Sequence, residues 1–566
     1  MANFTPIATG AAANAATVNS PLYELDTAIT TLQNGSATAA RPWGKIGGLA
    51  QPTSSTAVLV SDDITHTGKL VRGATTITST AADMETRGNL AVGAGSHVFT
   101  GTNAFASGAQ NTVYQYGLAA GQQNVVSGNT AAAIGVQNTA AGDYSLAVGN
   151  RNNIDAASDY GSILGGYNMS LVGGAYSGIV AGTGNTINNT TAGAILTGSA
   201  NSVNSSSSYS AIVCGISNQV YGGAVGAFVG GGKTNYNRAT YGAIVAGENN
   251  LAYHSYAAVL SGYANNVTGN NSAIINGSTN TIASNAAEST NSLIGAGLQN
   301  TLTDSAYSMI AVGRQNTMTS SSYCAIGAGF TNAVTSATYS SILAGNNNTI
   351  SGAIQGFIGG GSLNTITGSI SGAAIVAGLN NTVTGGLSTV INGNTNVING
   401  NTSAAGGTDC KVTHNFAFMW NSNGASTFNS AATGEFAVTA EGGVRIFTNT
   451  ARSTGMTMAA GASSWTAVSS AALKTNFKPV EQSAILAKLL SVPIQTYTFK
   501  NHDIVNLGPT AEDWDAAFAD ILGRKTIALD GAEIPAINEG DKLGVALAAI
   551  QALTLQVNEL KAKLSN

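Results

Sequence analysis

A short pattern recurs along the middle of this 566-residue chain, and it narrows the available folds more than any other feature. From about residue 105 to 398 the order is an apolar residue, two small ones, Gly, two variable residues, Asn, one variable residue, then Val or Ile. Clear copies are Ile212-x-x-Gly215-x-x-Asn218-x-Val220, Val259-x-x-Gly262-x-x-Asn265-x-Val267, Ile342-x-x-Gly345-x-x-Asn348-x-Ile350 and Ile375-x-x-Gly378-x-x-Asn381-x-Val383. About 19 copies occur, most of them about 14 to 17 residues apart, too regular for chance and too short for separate domains. One coil is stretched, between Asn280 and Gly297.

Each element of the pattern has a physical role. Gly supplies the positive φ of a tight corner, and Asn is the next most tolerant residue there. Asn repeated at one corner can also form an amide ladder along a stack of coils. The two apolar anchors lie half a repeat apart, which fits two short β-runs per coil with both anchors facing inward. The expected fold is mainly β: a β-solenoid of about 19 short coils stacked at ~4.8 Å, about 90 Å long. Gly, Thr, Asn and β-branched residues at this density exclude helix. Two anchors per coil bury little apolar surface against the entropy of ordering the backbone, so lateral association with identical chains and capped ends are expected.

Composition removes other classes. Only 8% of residues are charged and the net charge is −5, so there is no basic surface for nucleic acid. Cys214, Cys324 and Cys410 are too few and scattered for a disulfide framework. The opening MANFTPIATG has no basic n-region or long apolar stretch, so no secretory signal is expected. No apolar run reaches the ~18 residues of a membrane span, and no membrane insertion is expected. His66, His97, His254, His414 and His502 lack metal-ligand spacing, and no cofactor or metal is expected.

The ends differ from the rod. Residues 1–35 are expected to be an attachment segment with a short helix, Ser20 as N-cap, Pro21 at the first turn and Gly35 as the stop. Leu22, Leu25, Ile29 and Leu32 would form a short coiled-coil seam on it. Residues 36–90 suggest a small β-rich connector, 91–400 the solenoid, and 401–465 a small β-domain capping it, with Trp420 and Phe447. Residues 466–566 turn mixed α/β and end in a seam of Ile550, Leu553, Val557, Leu560 and Leu564. Seams at both ends of a slender rod point to a parallel homotrimer.

Two resemblances follow. The repeat, over about residues 90 to 400, resembles the β-roll head of trimeric autotransporter adhesins, although its coil is longer than theirs and the signal peptide and membrane barrel of those adhesins are not expected here. From about residue 405 the chain resembles bacteriophage tail fibres and tailspikes that end in an intramolecular chaperone of the endosialidase type. The matching stretches are VSSAALKTNFKPV (468–480), LSVPIQTYTFK (490–500), NLGPTAEDW (506–514) and GVALAAIQAL (544–553). That resemblance implies a trimeric chaperone that guides folding of the upstream β-structure and commonly cuts itself away beside a Ser, with a Lys five residues on. Ser469 and Lys474 fall on those positions. A hydroxyl nucleophile needs a base, and a desolvated Lys can serve. The usual Asp after the serine is Ser470 here, the usual Arg is Ala472, and the usual His before the Leu-Gly-Pro run is Asn506.

Other residues invite weighing. Tyr144, Tyr160, Tyr176, Tyr209, Tyr241, Tyr256, Tyr307, Tyr323 and Tyr339 share one repeat phase. Stacking would make them one aromatic stripe, suited to sugar faces or, as the simpler reading, to corner filling and packing between chains. Asp143 and Asp159 also share a phase, and paired carboxylates about 5 Å apart could run retaining glycoside hydrolysis or simply be solvated. Glu288 and Asp304 form a looser pair. Gly230-Gly231-Gly232-Lys233-Thr234 hints at a phosphate loop, but Ala227 stands where such a loop needs Gly, and a repeat corner explains it better. The expected function is a receptor-binding fibre or spike of a phage tail, virion-borne and assembled in the host cytoplasm. Its expected partners are two further copies, the tail or baseplate, and a host-surface glycan or protein. The alternatives are a glycan depolymerase and a non-viral bacterial surface or injection-system fibre.

Overall fold

A computed structural model of the chain describes residues 44–46, 49–51, 89–92, 97–100, 102–284 and 291–565. The expected helix and seam over 20–35 lie outside the described residues, as do His66 and Glu288. Within the connector, Gly44–Ile46 pairs antiparallel with Leu49–Gln51.

The repeat winds into a β-solenoid of about 21 turns. Its two ladders of parallel strands each take one anchor from every coil. The first ladder runs from Leu90–Val92 to Phe436–Thr439 and the second from Val98–Phe99 to Phe428–Asn429. Neighbouring strands are in register: Ile244 pairs with Val259 and Val259 with Ile274 in the first ladder, and Val267 with Ile282 in the second. These anchors are buried, and they form one continuous core along the stack. The turn count exceeds the expected 19 because the terminal coils keep their backbone pairing without the Gly–Asn signature. Leu90–Val92 precedes the first copy, while Ala404–Thr408, Phe418–Asn421 and Phe436–Thr439 extend the first ladder beyond Asn396. At ~4.8 Å per coil the stack is about 100 Å long.

The corner glycine meets two demands together. Gly262 has φ +113°, and a Cβ there would lie 2.1 Å from the carbonyl oxygen of Gly277 in the next coil. Left-handed backbone and close approach both exclude a side chain. The asparagine has a different task from the conformational tolerance its type suggests. The left-handed residue is the one before it, such as Ala264 at φ 53°, while Asn265 itself is fully buried. Asn265 Nδ2 donates to Ser261 O at 3.3 Å, Gly277 O at 2.9 Å and Asn250 Oδ1 at 3.2 Å. Its Oδ1 accepts the Asn280 backbone N–H at 3.1 Å. The side chain therefore satisfies backbone groups that the corner leaves unpaired.

This amide ladder runs from Asn111 to Asn152 and from Asn185 to Asn396. Met169 fills the gap, and Cys410 ends the row with its N–H on Asn396 Oδ1 at 3.0 Å. The stretched coil does not break it: Asn300 reaches Asn280 at 3.1 Å across 20 residues. Buried serines serve the opposite corner; Ser340 Oγ donates to Ala353 O at 3.3 Å and accepts the Gly356 N–H at 2.9 Å.

The outward faces of the two ladders differ. Beside its anchors the first ladder exposes Leu164, Val180, Leu196, Val245, Leu260 and Leu343. The second presents half-buried hydroxyls, such as Thr301, Thr303, Thr317, Thr319, Thr365 and Thr367.

Gly442–Asn566 forms a second compact unit. It opens with an antiparallel sheet of Val444–Phe447, Gly455–Met458 and Thr466–Ala467. Helix α1 spans Gln482–Leu490, α2 spans Ala511–Leu522 and α3 spans Glu539–Leu564. Two hairpins lie between them, Gln495–Thr498 with Val505–Gly508 and Thr526–Leu529 with Ala532–Pro535. Thr510 caps α2 by accepting the Asp513 N–H at 3.1 Å, and Gly523 at φ 68° ends it. Ile485, Val492, Trp514, Phe518 and Val545 make a small core. Lys488 ties α1 to α2 through Asp520 at 2.8 Å, and that hydrogen-bonded ammonium holds the Asp520 carboxyl below its ordinary value.

The ladder analysis predicts the effect of Asn265→Ala. It strips partners from the Asn280 N–H and from two carbonyls inside the rod, at a cost of about 2–4 kcal/mol. Thr303→Ala on the outer face should stay within about 0.5 kcal/mol. Thermal and urea unfolding of the two variants checks the contrast.

Candidate functional site

The Ser–Lys pair that the resemblance implies lies at the start of the second unit's helical part. Ser470 caps a single 3-10 turn, Ala471–Leu473, by accepting the Ala472 N–H at 3.3 Å. That turn folds the chain back, so Lys474 Nζ donates to Ser469 Oγ at 2.6 Å. Both residues are exposed in the single chain. Ser470, where an Asp is usual, thus shapes the turn. Asn506 sits on the strand Val505–Gly508, its amide donating to Ile504 O at 3.0 Å.

Helix α3 presents two apolar faces. Val545, Ala549 and Ala552 are buried, and the face bearing Val545 packs on α1 around Ile485. The other face carries Ile550, Leu553, Val557, Leu560 and Leu564, all exposed. It begins earlier than the sequence suggested: Leu543 and Ala546 continue the alternating spacing backwards, and Leu543 is 62% exposed. Gly540 and Gly544, poor helix formers, hide that start; the Asn538 cap and the contact with α1 hold it helical. By length and composition alone α3 is apolar enough to cross a membrane. Other apolar groups of this unit also stand in solvent, among them Phe499, Ile504, Val505 and Leu507.

In the rod, the phase-matched tyrosines occupy left-handed corners, with φ between 53° and 60°. Left-handed backbone costs such a residue about 1–2 kcal/mol. Ring stacking, at about 0.5–1.5 kcal/mol per pair, offsets much of that. Tyr144, Tyr160 and Tyr176 stack at 4.9 Å, as do Tyr307 and Tyr323, with Tyr339 at 5.0 Å beyond. Tyr241 and Tyr256 stack at 5.5 Å. Ala192 and Gly226 take the corners on either side of Tyr209, and Asn271 and Asn291 those between Tyr256 and Tyr307. The result is three separate stacks and an isolated Tyr209, not one stripe.

Asp143 and Asp159 are committed to the backbone. Asp143 Oδ1 accepts the Asn129 N–H at 2.8 Å, and Asp159 Oδ1 accepts the Asp143 N–H at 2.9 Å. Asn401 and Asn415 make the same contacts near the other end, so an amide oxygen serves equally well. Asp304, on the far side of the stretched coil, donates its backbone N–H to Ala283 O at 3.1 Å. The glycine-rich segment is a repeat corner: Gly232 carries φ +92°, and Lys233 pairs with Glu248 at 3.0 Å. Among the described residues no group of three or more His, Cys, Asp or Glu is placed to hold a metal ion.

Residues 469–522 match the family model for the chaperone of endosialidase. The match starts at Ser469 and ends with α2. Among curated proteins none matches the chain.

Burial pushes the Cys410 thiol up to about 11 and raises that of Cys324 as well. At pH 8 both groups should remain protonated and inert while folded. Iodoacetamide labelling followed by mass spectrometry should leave Cys324 and Cys410 unmodified in the native protein and alkylate both after unfolding in guanidinium.

Proposed function

We propose that this protein is a homotrimeric receptor-binding fibre or spike of a bacteriophage tail, folded and registered by its own C-terminal chaperone. The observation that carries this reading is the exposed heptad face of α3, on the unit that matches the chaperone of endosialidase. Seven positions from Leu543 to Leu564 alternate by three and four, the spacing of a coiled-coil seam. An apolar seam left in water on a single chain is covered most simply by the same seam on two further copies. The first ladder's outward apolar face supports lateral contact along the rod. Its hydroxyl-bearing second ladder and tyrosine corners are then left for the host surface, a glycan or a protein. The N-terminal segment attaches to the tail or baseplate, and the fibre assembles in the host cytoplasm.

An adhesive role is favoured over a depolymerase because Asp143 and Asp159 spend an oxygen each on backbone N–H groups. Tyr209, Tyr241, Tyr256, Tyr307, Tyr323 and Tyr339 are the binding surface in this reading, since each ring is at least half exposed. Release of the chaperone by Ser469 and Lys474 follows trimerisation. In the single chain the exposed lysine donates to the hydroxyl; packing by neighbouring copies would desolvate it and let it act as a base.

Deleting residues 466–566 should give monomeric or insoluble material, and Leu553→Asp with Val557→Asp should abolish the trimer. Light scattering after gel filtration checks both. A soluble, SDS-resistant trimer from the truncation would refute the chaperone role. Intact-mass measurement of the trimer should show loss of the segment beyond the Ser469 junction, with Ser469→Ala and Lys474→Ala both keeping full length. The Leu553→Asp, Val557→Asp protein should also remain uncut.

A further inference from the structure

On most coils the outward positions of the second ladder are Thr, Ser or Asn, but three consecutive coils break the pattern. Gln219 and Tyr221 flank the anchor Val220, Tyr236 and Arg238 flank Asn237, and Leu251 and Tyr253 flank Ala252. Strand register pairs those three anchor positions in turn, so Tyr221, Arg238 and Tyr253 fall in one column on the outer face. The guanidinium carbon of Arg238 lies 5.0 Å from the Tyr221 ring centroid and 4.4 Å from that of Tyr253. The guanidinium therefore lies between two aromatic rings, a cation–π arrangement that leaves its N–H donors for a partner.

The surroundings make room for this group. Gly222 has φ +72°, and a Cβ there would come within 3.0 Å of Arg238 Nε. Tyr236 stands edge-on to Tyr221 at 6.3 Å, and His254 lies against Tyr253 at 4.9 Å. Between Asp159 and Glu288 the chain has a single acidic residue, Glu248. Lys233 already holds it at 3.0 Å. Among the described residues no carboxylate pairs with Arg238.

A guanidinium held between two rings, with no carboxylate paired to it among the described residues, is set to take an oxyanion in a forked hydrogen bond. The adjoining aromatic surface suits the face of a sugar ring. We infer that Tyr221, Tyr236, Arg238 and Tyr253 form a subsite for an oxyanion-bearing sugar, a uronate or a phosphorylated pyranose. The inference deepens the adhesive reading, on which its biological meaning rests, by naming a place on the rod and a charge class of ligand. Its test is binding by the purified protein, so a failure of the viral or trimeric assignment would be recognised separately.

The experiment is titration calorimetry on the full chain with trigalacturonate, glucose 6-phosphate, neutral galactotriose and inorganic phosphate. At least one anionic sugar should bind, with galactotriose about tenfold weaker or more. Which of the two binds better identifies the oxyanion as carboxylate or phosphate. Arg238→Gln should weaken that binding about tenfold or more while leaving circular dichroism and melting unchanged. Tyr253→Ala, which uncovers one face of the guanidinium, should weaken it as well. The proposal is overturned if neither anionic sugar binds, if galactotriose binds equally, or if Arg238→Gln binds like the natural protein. Displacement of the sugar by an equal concentration of inorganic phosphate would overturn it too.

Discussion

A buried asparagine amide, repeated in most coils, is the interaction on which the solenoid depends. Every coil must turn a corner against its neighbour, and that corner leaves backbone donors and acceptors facing an apolar interior. The amide of Asn265 reaches a carbonyl of its own coil, a carbonyl of the next and the amide of the previous one, and accepts the backbone N–H of the following asparagine. Removing those partners would leave polar groups dry, which is among the larger penalties a fold can carry. The glycine three residues earlier follows from the same geometry, because its missing Cβ lets the neighbouring carbonyl approach the corner closely enough to be held. Coil length can then vary around this row, and a 20-residue step from Asn280 to Asn300 leaves it continuous.

The same architecture leaves a single rod exposed along one side. Each coil contributes two interior anchors and little else to the core, while the first ladder turns Leu, Val and Ile outward beside them. In the C-terminal unit a five-residue core holds three helices together, and a whole face of α3 stays in water. Both units thus carry apolar surface that a solitary chain does not cover. Association of like chains, as proposed, would cover both at once.

Much of this was legible in the residues. The Gly-x-x-Asn spacing with its flanking anchors specified two inward-facing strands per coil, as Val259 and Val267 show. Ser469 and Lys474 were singled out only through the resemblance, and the single 3-10 turn that brings them together is a feature of the fold. Other features were hidden. The terminal coils lack the signature because backbone pairing alone extends a ladder, and the first heptad of α3 is masked by Gly540 and Gly544. The asparagine's role was visible only in part: its repetition announced a ladder, but its burial and its four partners depend on the coil above and the coil below.

Sequence by itself determined the winding, since glycine, asparagine and β-branched anchors at this period admit no helix and no ordinary globule. Tertiary structure decided which outward residues become neighbours. Coil length varies, so equal spacing from a motif does not translate into a continuous row. Tyr209 shares its phase with eight other tyrosines yet stands between Ala192 and Gly226. Tyr221, Arg238 and Tyr253 lie 17 and 15 residues apart, anonymous along the chain, and meet only because parallel strands bring successive coils to about 4.8 Å. The period lives in local conformation, whereas the surface is assembled by hydrogen-bond register between coils, which no local pattern records.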